Sequence, residues 1–282
     1  MIFYFSATGN SKRVAERIGE ATGDRLVSMA QALREASGPS EPLSFELAVG
    51  EQLGVVCPVY FWGLPSVVED FLSRLEVFGP RPSYAFSVAT FGTTAGQANR
   101  FVAERLARAG VTLDARLSVQ MPDTWTPMFD LSDPDRVAKL VARSERELDQ
   151  VAARVSRREK GDFTRRRVPL WAVRAYQPAY ERTRTCDHLS VSAEACVGCG
   201  LCAAQCPCGA IELRHHRPTW VAERCAMCLG CLHRCPAHAI RYGDGRATDA
   251  HGQYVNPHTT LWPRHLASSS PSSPSLSPRA AL

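Results

Sequence analysis

The chain reads as an α/β protein with a parallel sheet covered by helices on both faces, followed by a small cysteine-rich unit. Short apolar runs alternate with helix-period segments over the first 156 residues, the signature of strands interleaved with helices. Nine of the 11 cysteines crowd into residues 196–235. With 282 residues, 45% hydrophobic and 22% charged, there is material for one ordinary α/β domain, a second small one and a buried core.

The alternation can be followed in order. Met1 to Phe5 form an apolar run ending at a Ser/Thr/Gly/Asn cluster, and Val14, Ala15 and Ile18 then recur at helical spacing, which predicts strand, loop, helix. A short strand is expected near Arg25–Ser28. Leu53–Val59 predicts a buried strand before a helix opened by Pro65 and ending near Arg74. Tyr84–Thr90 predicts another, before a helix over about Ala95–Ala109, and Leu113–Met121 a further strand. Ser132 or Asp133 as cap with Pro134 behind it opens a long helix to about Arg158. The total is five parallel strands buried on both faces.

Residues 159–185 break the rhythm with Arg165–Arg167, Pro169 and Pro178. They are expected to be a basic linker in which Trp171, Tyr176 and Tyr180 pack a short helix against one domain. The formal charge of +5 is uneven: −3 over residues 1–156, +6 over 157–184 and zero over 185–255. A solvated linker accounts for the basic stretch; contact with an acidic partner, anionic lipid or nucleic acid is the alternative. The expected boundaries are 1–158, 159–185 and 186–255, with a disordered Ser/Pro-rich tail over 267–282.

The amino terminus carries no basic leader, full apolar stretch or cleavage site, so secretion is not expected. No run approaches the roughly 18 to 20 apolar residues of a spanning helix. A cytoplasmic location follows as the expectation, and there clustered thiols bind metal more often than they pair.

Cys196, Cys199, Cys202 and Cys206 are spaced x2, x2, x3 and precede Pro207; Cys225, Cys228, Cys231 and Cys235 with Pro236 repeat that spacing 29 residues on. The run is an iron–sulfur signature whose fourth cysteine serves the other cluster. Three thiolates at every third residue wrap one face of a cubane, and the fourth points away. The expected ligand sets are therefore Cys196, Cys199, Cys202 and Cys235 for one 4Fe–4S cluster, and Cys225, Cys228, Cys231 and Cys206 for the other. Zinc sites pair C-x2-C with a second, distant pair and seldom add a third cysteine at once. Gly198, Gly200 and Gly230 are expected to permit the tight backbone that aims amides at cluster sulfurs. Residues 186–242 closely resemble the two-cluster bacterial-type ferredoxins, which implies a small α+β fold. They depart from that family's usual acidity, being neutral and carrying Arg214, Arg217, Arg224 and Arg234. Cys57 is expected in the core, and Cys186 and Cys208 are left outside the ligand sets.

The loop S-A-T-G-N-S, comprising Ser6, Ala7, Thr8, Gly9, Asn10 and Ser11, lies between a strand and a helix. Its hydroxyls, the Asn10 side chain and the free amides of the helix start make a cradle for a phosphate dianion. It carries neither the P-loop pattern nor G-x-G-x-x-G, which argues against ATP and NAD at this site. The loop resembles that of the flavodoxin family, and the likeness extends over about residues 1–156. It implies a flavodoxin-like five-stranded parallel sheet and an FMN site. Two further loops fall where that family places flavin contacts: Pro58, Val59, Tyr60, Phe61, Trp62 and Gly63, and Thr90, Phe91, Gly92 and onward to Gly96. Both follow carboxyl ends of strands; the aromatics offer stacking surfaces, and Gly63, Gly92 and Gly96 would let backbone approach the ring. Trp125 is a further candidate wall.

Together the modules resemble the flavodoxin–ferredoxin fusions called ferrodoxins. The expected function is electron transfer between FMN, two 4Fe–4S clusters and a redox partner protein or small donor or acceptor, without nucleic acid and without a transmembrane segment. The alternative is a flavin-dependent reductase of a quinone, nitro compound or disulfide with the clusters as its internal wire. No catalytic residue stands out for it.

Overall fold

The computed structural model describes residues 1–261. The first 162 residues form β1 (Ile2–Tyr4), α1 (Asn10–Thr22), β2 (Leu26–Ser28), α2 (Met29–Glu35), β3 (Leu43–Glu46), β4 (Leu53–Pro58), α3 (Ser66–Arg74), β5 (Leu75–Phe78), β6 (Ala85–Phe91), α4 (Ala98–Arg108), β7 (Ala115–Gln120), α5 (Pro134–Ser156) and β8 (Gly161–Asp162). Strands pair in the order β2-β1-β4-β6-β7-β8, every pair parallel. The expected five strands are all present, and β8 is a sixth at the edge. The chain steps from β1 outward to β2 and then back across to β4, so the order reverses beside β1. Ligands of open α/β sheets bind at the carboxyl ends of strands flanking that reversal.

Both faces are covered. Ile2, Val56, Val88 and Leu117 pack under Val14 and Ile18 of α1 and Leu148 and Val155 of α5. Phe3, Val55, Cys57 and Ala89 face Val67 and Phe71 of α3 and Val102 and Leu106 of α4. Cys57, 1% exposed, is a core residue as its strand position implied. The long helix starts as expected: the Asp133 carboxylate accepts the amides of Asp135 and Arg136 at 3.0 and 3.1 Å, with Pro134 next in line. The sequence reading missed a separate parallel pair, β3 with β5, in register Leu43 to Leu75.

The stretch read as a linker is structured. The Gly161 amide donates to Asp114 O and the Phe163 amide to Arg116 O, at 3.0 and 2.7 Å, and the Ala95 amide donates to Arg166 O at 3.0 Å. The expected helix is α6 (Leu170–Thr183), 14 residues with Pro178 inside it; Tyr180 packs it inward as expected, but Trp171 is 76% exposed and does not. The remainder forms β9 (Leu189–Val191), α7 (Leu201–Ala204), β10 (Ile211–Arg214), β11 (Arg217–Trp220), α8 (Gly230–His233), β12 (Ile240–Tyr242) and α9 (Arg246–His251). Antiparallel pairs join β10 to β11 and β12 to β9. No helix among the described residues is long and apolar enough to cross a membrane. The tail over 267–282 lies outside the described residues.

Candidate flavin and iron–sulfur sites

Three loops at the carboxyl ends of β1, β4 and β6 converge on a cavity of about 310 Å³, a volume in the range of ligand sites. Of the expected residues, Ser6, Ala7, Thr8, Asn10, Ser11, Pro58, Val59, Tyr60, Phe61, Trp62, Thr90, Phe91 and Gly92 line it. The Ser11 and Thr90 hydroxyls meet at 2.7 Å, tying the first loop to the end of β6. The first-turn amides of α1 have no intrahelical acceptor, which leaves a donor array suited to an anion. A further polar atom, Thr94 Oγ1, is buried without a partner among the described residues on a residue of the same wall. Polar donors at one end and aromatic walls at the other fit a flavin with a phosphate tail.

Three expected glycines do not line the cavity. A Cβ at Gly63 would overlap the Gln177 amide, and one at Gly96 would overlap the Trp62 carbonyl; both glycines serve close packing, Gly63 against α6. Gly9, at φ 97°, faces the other way, where a Cβ would lie 2.8 Å from Thr259 and 2.9 Å from Asn256. The Asn10 side chain is likewise engaged, donating to Pro122 O at 3.2 Å while its oxygen accepts from Tyr254 and Asn256.

The aromatic loop is held from outside. Phe61 and Trp62 adopt left-handed φ of 47° and 63°. Phe61 stacks on Tyr180 at 4.9 Å and Tyr176 at 5.7 Å, and Trp62 lies 4.8 Å from Tyr176. Tyr180, 1% exposed, accepts from the Ser66 amide at 3.2 Å and donates to Ala226 O at 3.1 Å. One phenol thus joins the start of α3 to the loop between Cys225 and Cys228. The remaining wall is Met121 through Trp125 with Met128, Phe129 and Tyr176. Of these, Trp125 was expected. Burial raises the Asp123 carboxyl, against a hydrogen bond from the Trp125 amide that lowers it. Burial also holds the Tyr60 phenol well above its ordinary value.

The cysteines form two groups. Cys196, Cys199, Cys202 and Cys235 border one small apolar recess. Cys225, Cys228 and Cys231 cluster with Cys206: besides burial, the charge of Cys206 bears on all three thiols, and that of Cys225 on Cys228 and Cys231. Burial pushes the Cys228 thiol up to about 12 and the Cys225 and Cys202 thiols to about 11. A thiolate there needs a nearby positive centre, which a bound cluster supplies. Backbone amides donate to sulfur from Ala210 to Cys206, Met227 to Cys225 and Ala239 to Cys235, each at 3.3 Å. No three His, Cys, Asp or Glu side chains among the described residues are arranged to hold a single metal ion. The outer group surrounds a recess, which fits a cluster better than zinc.

The duplication extends to backbone shape. Gly198, Gly200 and Gly209 have left-handed φ of 69°, 76° and 59°, and Met227, Leu229 and His238, each 29 residues on, have 55°, 51° and 49°. Gly230 does not share that conformation; it opens α8, and a Cβ there would overlap Arg234. Cys186 lies within hydrogen-bonding reach of Cys225, and Cys208 feels the charge of Cys228, Cys206 and Cys225. Both belong to the neighbourhood of the second group, which spacing alone did not reveal.

The two sites touch. Met227 and Cys228 line the same cavity as Thr8, Tyr60 and Trp62, and Ala226 and Cys228 pack into the core beneath α3. A cradle at the reversal of a doubly wound sheet, joined through one wall to a duplicated set of thiols, defines a flavin and iron–sulfur electron-transfer protein. A family model described as a flavodoxin domain matches residues 1–150, and one described as a 4Fe-4S dicluster domain matches residues 188–251. The chain belongs to the flavodoxin domain family and carries a fused dicluster ferredoxin domain.

Among solved structures it is similar to the flavodoxin of Streptococcus pneumonia TIGR4, with 16% identity, 54% of this chain and 97% of that one covered and a TM-score of 0.32. It is similar to an FMN-dependent NADH-azoreductase from Bacillus anthracis str. Ames Ancestor, with 9% identity, 55% and 98% covered and a TM-score of 0.31. A third is rubredoxin oxygen:oxidoreductase from Desulfovibrio gigas, with 18% identity, 53% and 35% covered and a TM-score of 0.28. No curated protein matches the chain.

Proposed function

We propose that the protein carries electrons between FMN, two 4Fe–4S clusters and an external redox partner. The observation that carries this reading is the shared wall, where Cys228 borders the flavin cavity. Bound FMN would supply one- or two-electron exchange and the clusters single-electron exchange. The chain's own residues position and tune these groups. The 6–11 loop and the α1 amides bind the phosphate, Pro58–Trp62 and Thr90–Gly92 border the ring, and Tyr176 and Tyr180 hold Phe61 in place by stacking. Cys206, Cys225, Cys228 and Cys231 hold the inner cluster and Cys196, Cys199, Cys202 and Cys235 the outer one. Cys199 is exposed, with Val197 63% and Leu213 43% exposed on the same recess, so the outer cluster faces the partner.

The test is anaerobic purification with flavin, iron and sulfide counts. One FMN and about eight irons are expected; absence of flavin, or fewer than about four irons, would sink the reading. Thr8→Ala should weaken FMN binding and leave the iron count unchanged.

A second reading, reduction of a small quinone, nitro compound or disulfide, is favoured by the open apolar rim of the cavity. Met128 is 72% and Tyr176 44% exposed there. Saturable turnover with one such substrate class supports it, and indifferent reduction of cytochrome c and low-potential dyes supports the carrier.

A further inference from the structure

Beyond α9 the chain leaves the iron–sulfur module and returns to the first loop of the sheet. The Tyr254 amide donates to His233 Nδ1 at 3.1 Å, and the Gln253 side chain donates to Leu232 O at 2.7 Å, anchoring the segment to α8. The Tyr254 hydroxyl and Asn256 Nδ2 then both donate to Asn10 Oδ1, at 2.9 and 3.1 Å. The Asn256 amide donates to Thr8 O at 2.8 Å. Thr259 lies against Gly9, and Lys12 Nζ donates to Thr260 O. Tyr254 and Asn256 are 5% and 2% exposed.

These bonds act on the peptide groups that form the cradle. In a trans peptide the carbonyl and the following N–H point in opposite directions. Holding Thr8 O outward toward Asn256 therefore turns the Gly9 amide inward, where it donates to Ser6 Oγ at 3.1 Å. Asn10, whose oxygen is taken by the returning segment, is locked against Pro122 on the cavity wall. The sequence reading gave Asn10 to the phosphate; the contacts make it the joint between cradle, wall and returning chain.

We propose that residues 254–260 are a strap that completes the phosphate subsite, with Tyr254 and Asn256 as positioning residues acting through Asn10 and Thr8. FMN is then held at full affinity only when the iron–sulfur module is folded and the strap is docked. This rests on the reading that the 6–11 loop takes the flavin phosphate.

The test compares FMN with riboflavin, which lacks the phosphate, by fluorescence titration of the full chain with its clusters in place. Asn256→Ala should weaken FMN by about tenfold, the effect of losing buried hydrogen bonds, and leave riboflavin affinity and iron content unchanged. Tyr254→Phe removes only the hydroxyl, keeps the ring on Leu131 and Val141, and should give a smaller loss confined to FMN. Equal weakening of both flavins in these variants, or no weakening of either, overturns the strap while leaving the flavin site itself standing. A wild-type chain that binds riboflavin as tightly as FMN overturns the phosphate reading and the strap with it.

Discussion

The two thiol groups share one spacing and one backbone, yet they live in different surroundings. The outer group has an exposed Cys199 and an exposed Val197 beside it. In the inner group Cys225 and Cys228 are buried, with Ala226, Met227 and Leu229 at 1%, 3% and 2% exposed. Duplication accounts for the common shape. Docking against the sheet accounts for the difference, because Met227 and Cys228 of the second copy line the flavin cavity and its Ala226 carbonyl accepts from Tyr180 of α6. Where the outer copy uses Gly198 and Gly200 for left-handed turns, the inner copy uses Met227 and Leu229, so side chains that fill the interface outweigh the local backbone strain.

The contrast can be broken most sharply at the ligands. Cys199→Ala should lower iron from about eight toward about four atoms per chain and remove one EPR signal while flavin content stays at one. Cys228→Ala should remove the other signal and also weaken flavin binding, because its loop is part of the cavity wall. Intact signals in both variants would contradict the ligand sets.

A smaller effect separates the two kinds of left-handed turn. Gly198→Ala places a Cβ 2.7 Å from His216 O at φ 69° and should cost on the order of 1–3 kcal/mol in denaturant unfolding. Leu229→Gly relieves a strained φ worth about 1 kcal/mol but forfeits a buried side chain worth about 1.5–3 kcal/mol. Net destabilisation of about 0.5–2 kcal/mol is expected from that difference. A stabilised Leu229→Gly would show that the interface does not hold this turn.

Arg234 sharpens the comparison electrostatically. Burial lowers its guanidinium, opposed by nearby Cys228, Cys231 and Cys206, and it is held by Gly230 O at 2.9 Å and by Gln205. A fixed cation stabilises the more negative, reduced state of a neighbouring centre. Arg234→Met should lower the inner potential on the order of 50 mV, about tenfold in a one-electron equilibrium, and leave the outer one nearly unchanged. Tyr180→Phe strips the bonds to Ser66 and Ala226 and should cost about 1 kcal/mol per bond in denaturant unfolding.

Much of this architecture was legible in residue pattern. The apolar runs at β1, β4, β6 and β7 are largely buried on both faces, and the Asp133-Pro134 start of α5 is a local signal that tertiary contacts did not override. The cysteine spacing is a signal of the same kind. Other features had no local signature. The strand β8 is Gly161-Asp162, two exposed residues defined by pairing with β7 alone, and β3 and β5 need each other across 32 residues. Gly63 and Gly96 were assigned to the flavin because they follow strands; the chain segments that press on them come from elsewhere in the fold. The return of Tyr254 and Asn256 to Asn10 spans more than 240 residues, beyond any periodicity.

The central claim is that flavin and inner cluster share a wall, so electrons pass between them within one molecule. Flash reduction of the flavin in anaerobic full-length protein, followed at the 4Fe–4S absorbance, tests it most directly. The account predicts cluster reduction at a rate independent of protein concentration, with Cys228→Ala abolishing the fast phase and Cys199→Ala retaining it. A rate that rises in proportion to protein concentration would contradict it.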